Sequence, residues 1–159
     1  MGHAALEGLY VTDGPRVLRY LSSLVGNEAA PDLLHDSFVR AARSHNPPER
    51  REDLPNWLFR IAANLAIDHV RRKRRWRSIS RLIAEPSAPA AGSVEECVRA
   101  ALREIPPDQA TVLILRLVEG MSRSEISGIL GITESAMKSR LVRGRLNFAA
   151  AYRRLERMQ

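Results

Sequence analysis

Apolar residues recur at helical spacing along most of the chain, and turn-forming residues divide them into separate runs. The first run extends from Val17 to Gly26, and the glycines before it predict an abbreviated helix. A second helix is expected to begin near Pro31, whose fixed φ suits a first turn. The polar stretch 44–53 then predicts a loop, and Asp53 is expected to cap a third helix. The N-terminal part is therefore predicted to be helical.

The third helix changes character along its length. Its first half carries an apolar stripe with Trp57 beside it, a pattern that predicts an inward-facing surface. That stripe consists of Leu58, Ile61, Ala62 and Leu65. Its second half holds the densest charge cluster of the chain, residues 71–77, in which only Trp76 is uncharged. This basic segment is a candidate binding surface for a polyanion.

Residues 78–93 lack this periodicity and are rich in Pro, Ala and Ser, a composition that predicts a flexible linker. Two small helical domains are therefore expected, 1–77 and 94–159, and the linker leaves their relative orientation open. Three apolar residues of the linker could instead dock on another surface, namely Ile79, Leu82 and Ile83. In the second domain, Pro107 suits the first turn of a helix that Gly120 closes.

A pair of helices follows, marked by three local signals. Ser122 and Glu125 have the spacing of a capping box, so a helix is predicted to begin at Ser122. This helix is short, because Gly131 offers the positive φ that ends it. Thr133 can then cap the next helix.

The second helix of this pair separates apolar from basic residues. Its apolar face consists of Met137, Leu141, Gly144 and Phe148. Its opposite face and flank consist of Lys138, Ser139, Arg140, Val142, Arg143 and Arg145. This division predicts a helix-turn-helix, whose second helix enters the major groove, where Lys and Arg reach guanine edges or phosphates. The alternative is an ordinary helical hairpin with a solvated basic face.

Composition and charge narrow the class of partner. Lys and Arg number 25 against 18 Asp and Glu, which gives a net charge of +7 and favours nucleic acid or an anionic membrane surface. No apolar run approaches the roughly 20 residues of a bilayer span, and the N-terminus lacks the features of a signal peptide. We therefore expect a cytoplasmic protein without membrane insertion.

The sequence offers little for catalysis. Cys97 is the one cysteine, and the four histidines show no ligand-type spacing with it, so no metal site and no cofactor are predicted. No glycine-rich phosphate loop, paired-carboxylate constellation or plausible triad appears. An enzyme is therefore the weakest of the functional hypotheses.

Two blocks of the sequence resemble a known family. The stretch ALREIPPDQATVLILRLVEGMSRSEISGILGITESAMKSRLVRGR resembles region 4 of extracytoplasmic-function (ECF) sigma factors. The stretches DLLHDSFVRAAR and LPNWLFRIAANLAIDHVRRKRR resemble region 2 of the same family. The resemblance covers most of the chain and implies an all-α fold, with a region 2 helical bundle and a region 4 helix-turn-helix. It also implies a sequence-specific transcription initiation factor rather than an enzyme.

The resemblance implies DNA contacts in both domains. The helix-turn-helix would hold the minus-thirty-five duplex through its basic face, while the third helix melts and reads the minus-ten element. The implied minus-ten residues are Trp57, Asn64, Arg71, Arg72, Lys73, Arg74 and Arg75. Asn64 matches an asparagine near a pocket for a flipped base, although it could instead bridge helices. Trp57 is more simply a core residue, and Trp76 could stack on a base.

The resemblance also implies protein partners. The second helix would meet the β′ clamp helices of core RNA polymerase, and region 4 would meet the β flap. The implied polymerase-binding residues are Asp32, Leu33, His35 and Asp36. An anti-sigma factor is expected to cover these surfaces. Pro31 and His35 depart from the acidic residue and the glutamine that the family more often has there, so the resemblance does not define the detail of the clamp contact.

Two other binding functions compete with this one. A protein that mimics a sigma factor in order to sequester a regulator would not need basic residues such as Lys138 and Arg143, nor the cluster 71–77. A simple helix-turn-helix repressor would leave the N-terminal domain unexplained. The two basic surfaces together therefore favour promoter binding.

Overall fold

The computed structural model describes residues 2–80 and 92–158, and all regular structure in these two ranges is helical. The helices are α1 (His3–Val25), α2 (Ala30–Arg43), α3 (Leu54–Ser80), α4 (Val94–Glu104), α5 (Pro107–Leu113), α6 (Arg123–Leu130) and α7 (Glu134–Arg157). The middle of the predicted linker, including Leu82 and Ile83, lies outside the described residues. Its predicted flexibility therefore stays a prediction.

The first three helices pack side by side around a shared apolar core. Leu58 and Ala62 of the predicted α3 stripe are fully buried, and Leu21 of α1 is buried with them. Pro31 lies in the first turn of α2, as predicted. Asp53 ends a single 3-10 turn that leads directly into α3. These contacts fix the direction in which α3 carries its basic second half.

The expectation of an abbreviated first helix is wrong. Helix α1 begins at His3, well before Val17, and includes Gly8 and Gly14. Leu9 is buried, and the Tyr10 ring packs edge-on against the ring of Phe38 in α2 with centroids 5.1 Å apart. Burial of Leu9, together with the ring contact of Tyr10, offsets the roughly 1 kcal/mol that each glycine costs a helix.

In the second half of the chain, α7 packs against both α4 and α5. Pro107 begins α5 as predicted, and the chain continues into a widened π-helical turn, Ile114–Val118. Gly120 then adopts a φ of +66°, which lets the chain leave the helix. Arg116 donates a 2.8 Å hydrogen bond to the Met121 carbonyl and steadies this exit.

The two halves also contact each other directly. Helix α1 packs against α4 and α5, and α3 packs against α5 and α6. At the centre of this contact, the hydroxyls of Tyr20 and Thr111 are 3.0 Å apart, and neither residue is exposed. In this structure the halves therefore form one continuous core.

Candidate nucleic-acid interface

The two helices α6 and α7 meet at the turn that the sequence predicts. Ser122 accepts a hydrogen bond from the Glu125 amide at 3.1 Å, and the Glu125 carboxylate accepts one from the Ser122 amide at 2.8 Å. Gly131 ends α6 in the left-handed region with a φ of 63°. Thr133 then accepts a 3.1 Å hydrogen bond from the Ala136 amide at the start of α7. The predicted helix-turn-helix is thus built from satisfied backbone groups.

Close packing of α7 against α5 sets which side of α7 faces outward. A Cβ on Gly144 would lie 3.3 Å from both the Gln109 carbonyl oxygen and the Leu113 Cγ. The Asn147 amide donates a 2.8 Å hydrogen bond to the Gln109 side chain one turn further along. Because glycine allows this approach, α7 lies tightly on α5 with its opposite side free.

The outward side of α7 carries the predicted basic face. Four of its residues line a single open depression, namely Lys138, Ser139, Val142 and Arg143. All four are exposed, as is Arg145. Arg140 is different, because it lies half-buried 3.6 Å from the Asp108 carboxylate in α5. The depression therefore presents cations, a hydroxyl and an apolar group, which together suit phosphates and base edges.

A second basic surface follows the outer half of α3. Arg71, Arg72, Lys73 and Arg75 are exposed there, and Trp76 is 70% exposed. This surface thus combines several cations with one accessible aromatic ring, as single-stranded nucleic acid requires.

Arg74 lies within this segment but points toward the other half of the chain. Its Nη2 donates to the carbonyl oxygens of Arg103 and Ile105, each at 2.5 Å, at the end of α4. Desolvation by burial, together with the charge of Arg77, lowers the pKa of Arg74. In this conformation the Arg74 guanidinium caps α4 rather than facing solvent.

The two remaining predicted minus-ten residues lie in the first half of α3. Asn64 is exposed, so its amide is accessible to a ligand. Trp57 is partly buried and packs against the core, which is the alternative that the sequence left open. Asn64 and the basic segment therefore lie on one helix, whereas Trp57 is partly engaged in packing against the core.

The predicted polymerase-binding residues lie on α2. Asp32, His35 and Asp36 are exposed on its outer side. Leu33 is only 6% exposed and belongs to the core. Three of the four side chains are thus available to a protein partner.

A cleft of about 540 Å³ between the halves was not foreseen from the sequence. It is lined by the end of α1 and parts of α2, α3 and α4, and it includes Asp32, Lys73 and Arg74. His69 faces the same cleft, and desolvation by burial, with the charges of Lys73 and Arg72, lowers its pKa. These elements are distant in sequence, so no local pattern could reveal their meeting.

Two other properties concern only the described part of the chain. Among these residues, no group of three or more His, Cys, Asp or Glu side chains is placed to hold a metal ion. None of the helices there is long and apolar enough to cross a membrane.

Comparisons with known proteins match each half of the chain to a sigma-70 region. Residues 9–77 match the family Sigma-70 region 2, and residues 95–147 match Sigma-70, region 4. The RNA polymerase sigma factor CarQ of Myxococcus xanthus is 33% identical over 147 residues, which cover 88% of this chain and 84% of that protein. The ECF RNA polymerase sigma factor SigM of Bacillus subtilis is 30% identical over 154 residues, which cover 92% of each.

A solved structure is similar across both halves. The sigma factor RpoE of Bartonella quintana, crystallised with the anti-sigma factor NepR, superposes with a TM-score of 0.67. The match covers 92% of this chain and 96% of that one, at 22% identity. This likeness supports the all-α, two-region fold.

Proposed function

This chain belongs to the extracytoplasmic-function sigma factors, which are transcription initiation factors and not enzymes, and from this premise we propose how its two basic surfaces divide promoter recognition. The α7 face reads the minus-thirty-five duplex, the outer half of α3 opens and holds the minus-ten element, and core polymerase supplies the catalysis. The observation that carries the proposal is the pair of exposed basic surfaces on separate halves.

Contact with the minus-thirty-five element is assigned to the depression on α7. Its four lining residues offer Arg143 and Lys138 for guanine edges or phosphates, Ser139 for either, and Val142 for a thymine methyl. Arg145 contacts a neighbouring phosphate. Arg140 orients the helix, because its charge is already paired with Asp108.

Contact with the minus-ten element is assigned to α3. Four exposed cations follow the strand backbone, namely Arg71, Arg72, Lys73 and Arg75. Asn64 contacts an unstacked base, and Trp76 supplies a stacking surface. Trp57 supports this helix from the core side, and Arg74 joins the surface only after it leaves α4.

The protein partners follow from the same premise. Asp32, His35 and Asp36 form the surface for the β′ clamp helices, and the second half binds the β flap. An anti-sigma factor regulates the chain, by analogy with the similar sigma factor RpoE, which was crystallised in complex with the anti-sigma factor NepR. The protein acts in the cytoplasm, where bacterial polymerase and promoters are found.

The central test is run-off transcription with the full chain, core polymerase and a promoter selected from genomic DNA by the reconstituted complex. We expect initiation at one position that depends on the added chain. Initiation that never becomes promoter-specific would refute the proposal.

The residue assignment on α7 has its own test with a matched control. Arg143→Ala is expected to weaken binding of minus-thirty-five duplex by about 1 to 3 kcal/mol and to relax preference at one base pair. Arg153→Ala removes the same charge from an exposed position near the end of α7 and is expected to leave base preference unchanged. Fluorescence anisotropy with a set of single-base variants measures both. Equal effects of the two substitutions would rule out base reading by Arg143.

A further inference from the structure

Charged side chains fasten the two halves together at the edge of their contact. The Glu119 side chain has 0% exposure, although it follows the π-helical turn near the surface. Its two carboxylate oxygens accept hydrogen bonds from Nε and Nη2 of Arg19, both at 2.8 Å. Arg16 Nε lies 3.4 Å from the same carboxylate. We call this group of Arg16, Arg19 and Glu119 the latch.

The latch is held in place from both sides. Arg16 lies over the ring of Phe59 in α3, with its Cζ 5.5 Å from the ring centroid. The buried hydroxyl pair of Tyr20 and Thr111 joins α1 to α5, the helix that leads into the π-helical turn before Glu119. The hydrogen bond that Arg19 donates to the Glu119 carboxylate raises the pKa of Arg19, because the pairing favours the charged guanidinium. A bidentate pair of this kind fixes one orientation of the two halves.

While its two halves are packed together, the chain is too small to contact both promoter elements at once. The minus-ten and minus-thirty-five elements are about 25 base pairs apart, which is roughly 85 Å of duplex at 3.4 Å per base pair. A compact chain of this length has a radius of gyration of about 15 Å and is roughly 40 Å across. The α3 and α7 surfaces can therefore reach both elements only after the halves separate.

The chemistry of the latch suits reversible separation. Arg16 and Arg19 are 39% and 53% exposed, so they are already partly hydrated when paired. On opening, the Glu119 carboxylate regains water, which offsets much of the lost attraction. An ion pair of this kind therefore specifies the closed arrangement without making it permanent.

We propose that the latch holds the free protein in a closed state that cannot engage both promoter elements, and that core polymerase binds the open state. This inference rests on the proposed function. Because only the open fraction is competent, the apparent affinity for polymerase is lowered by that fraction. Weakening the latch then strengthens binding to polymerase without adding any contact to it.

The test compares two latch variants with a matched control in the full chain. Glu119→Gln removes the shared carboxylate charge, and Arg19→Glu places a second carboxylate beside Glu119. The control Glu95→Gln makes the same chemical change in an exposed pair within α4, between Glu95 and Arg99. Small-angle scattering of each free protein gives the radius of gyration, and titration with labelled core polymerase gives the apparent affinity.

We expect the wild-type chain and the control to scatter as compact particles of about 15 Å radius. Both latch variants are expected to show a larger radius and about tenfold tighter binding to core polymerase. Binding to an isolated minus-thirty-five duplex is expected to stay the same in all four proteins, because the α7 face is already exposed in the closed state. That measurement also checks that each variant is folded.

Three results would overturn the latch: an extended wild-type chain, latch variants that stay compact, or latch variants that open without binding polymerase more tightly. None of these results bears on whether the wild-type chain directs promoter-specific initiation. Conversely, absence of such initiation would refute the proposed function even if the scattering changed as expected. The two proposals can therefore fail separately.

Discussion

The close approach of α5 and α7 gives a prediction that isolates one steric contact. Gly144 and Gly128 both lie inside helices of the same half. A Cβ on Gly128 would meet nothing within 4 Å, whereas a Cβ on Gly144 would lie 3.3 Å from the Gln109 carbonyl and from Leu113. The same substitution to alanine at the two positions therefore differs only in what the new methyl group meets.

The magnitude follows from two opposing terms. Replacing a mid-helix glycine with alanine gains about 1 kcal/mol from backbone propensity alone. Gly128→Ala should show this gain in full. At Gly144 the neighbours must shift by a few tenths of an ångström, and such overpacking costs about 1 to 3 kcal/mol. Gly144→Ala should therefore be neutral or destabilising by up to about 2 kcal/mol, and Gly144→Val should be worse.

Urea and thermal unfolding followed by circular dichroism measure these differences. In a chain of this size each kcal/mol shifts the midpoint temperature by about 2 to 4 °C, so Gly128→Ala should melt later and Gly144→Ala no later than the wild type. If Gly144→Ala stabilised the protein as much as Gly128→Ala, the close packing that orients α7 would not exist.

The further predictions concern three single groups. Tyr20→Phe leaves the Thr111 hydroxyl buried without its partner and should lower the free energy of unfolding in urea by about 1 to 2 kcal/mol. A loss of stability no larger than that caused by Tyr10→Phe would contradict this prediction. Burial raises the pKa of Tyr20. The neutral Tyr20 side chain therefore contributes its full share to the free energy of unfolding below about pH 10, and this contribution declines as the pH rises further. Tyr20→Phe should reduce the loss of stability at alkaline pH. Ser122→Ala should cost about 1 kcal/mol by opening the capping box, against no change for exposed Ser124→Ala. Desolvation lowers the pKa of His69, so its ring proton signals should titrate below the ordinary value near 6.5 in NMR. A value above about 6.5 would refute the partly buried placement of this side chain.

The helix-turn-helix could be predicted from sequence because its signals are local. Ser122 and Glu125 satisfy each other's backbone amides, Gly131 adopts the positive φ, and Thr133 caps the next helix. Each of these needs only residues within one turn of the chain. The prediction of where α1 begins was wrong for the opposite reason, because burial of Leu9 by other helices outweighs the local cost of glycine.

The contact between the halves could not be predicted, because it depends on side chains far apart in sequence. Tyr20 and Thr111 are separated by 91 positions, and each follows an apolar pattern that fits burial within its own half equally well. The same holds for the basic segment, in which Arg74 and Arg75 look alike in sequence. Only the position of the α4 terminus decides that Arg74 turns inward.

The placement of Arg74 sets two contacts of the same side chain in competition, one with α4 and one with DNA in the proposed function. Its guanidinium holds the last carbonyls of α4, and in the proposed function the same group would meet a phosphate. Because a phosphate on the outer side of α3 would draw the guanidinium away from α4, the two contacts would compete, and each would lower the affinity of the other by the same factor. In the proposed function, each phosphate that draws Arg74 outward would free the end of α4. Promoter DNA would then itself favour separation of the two halves.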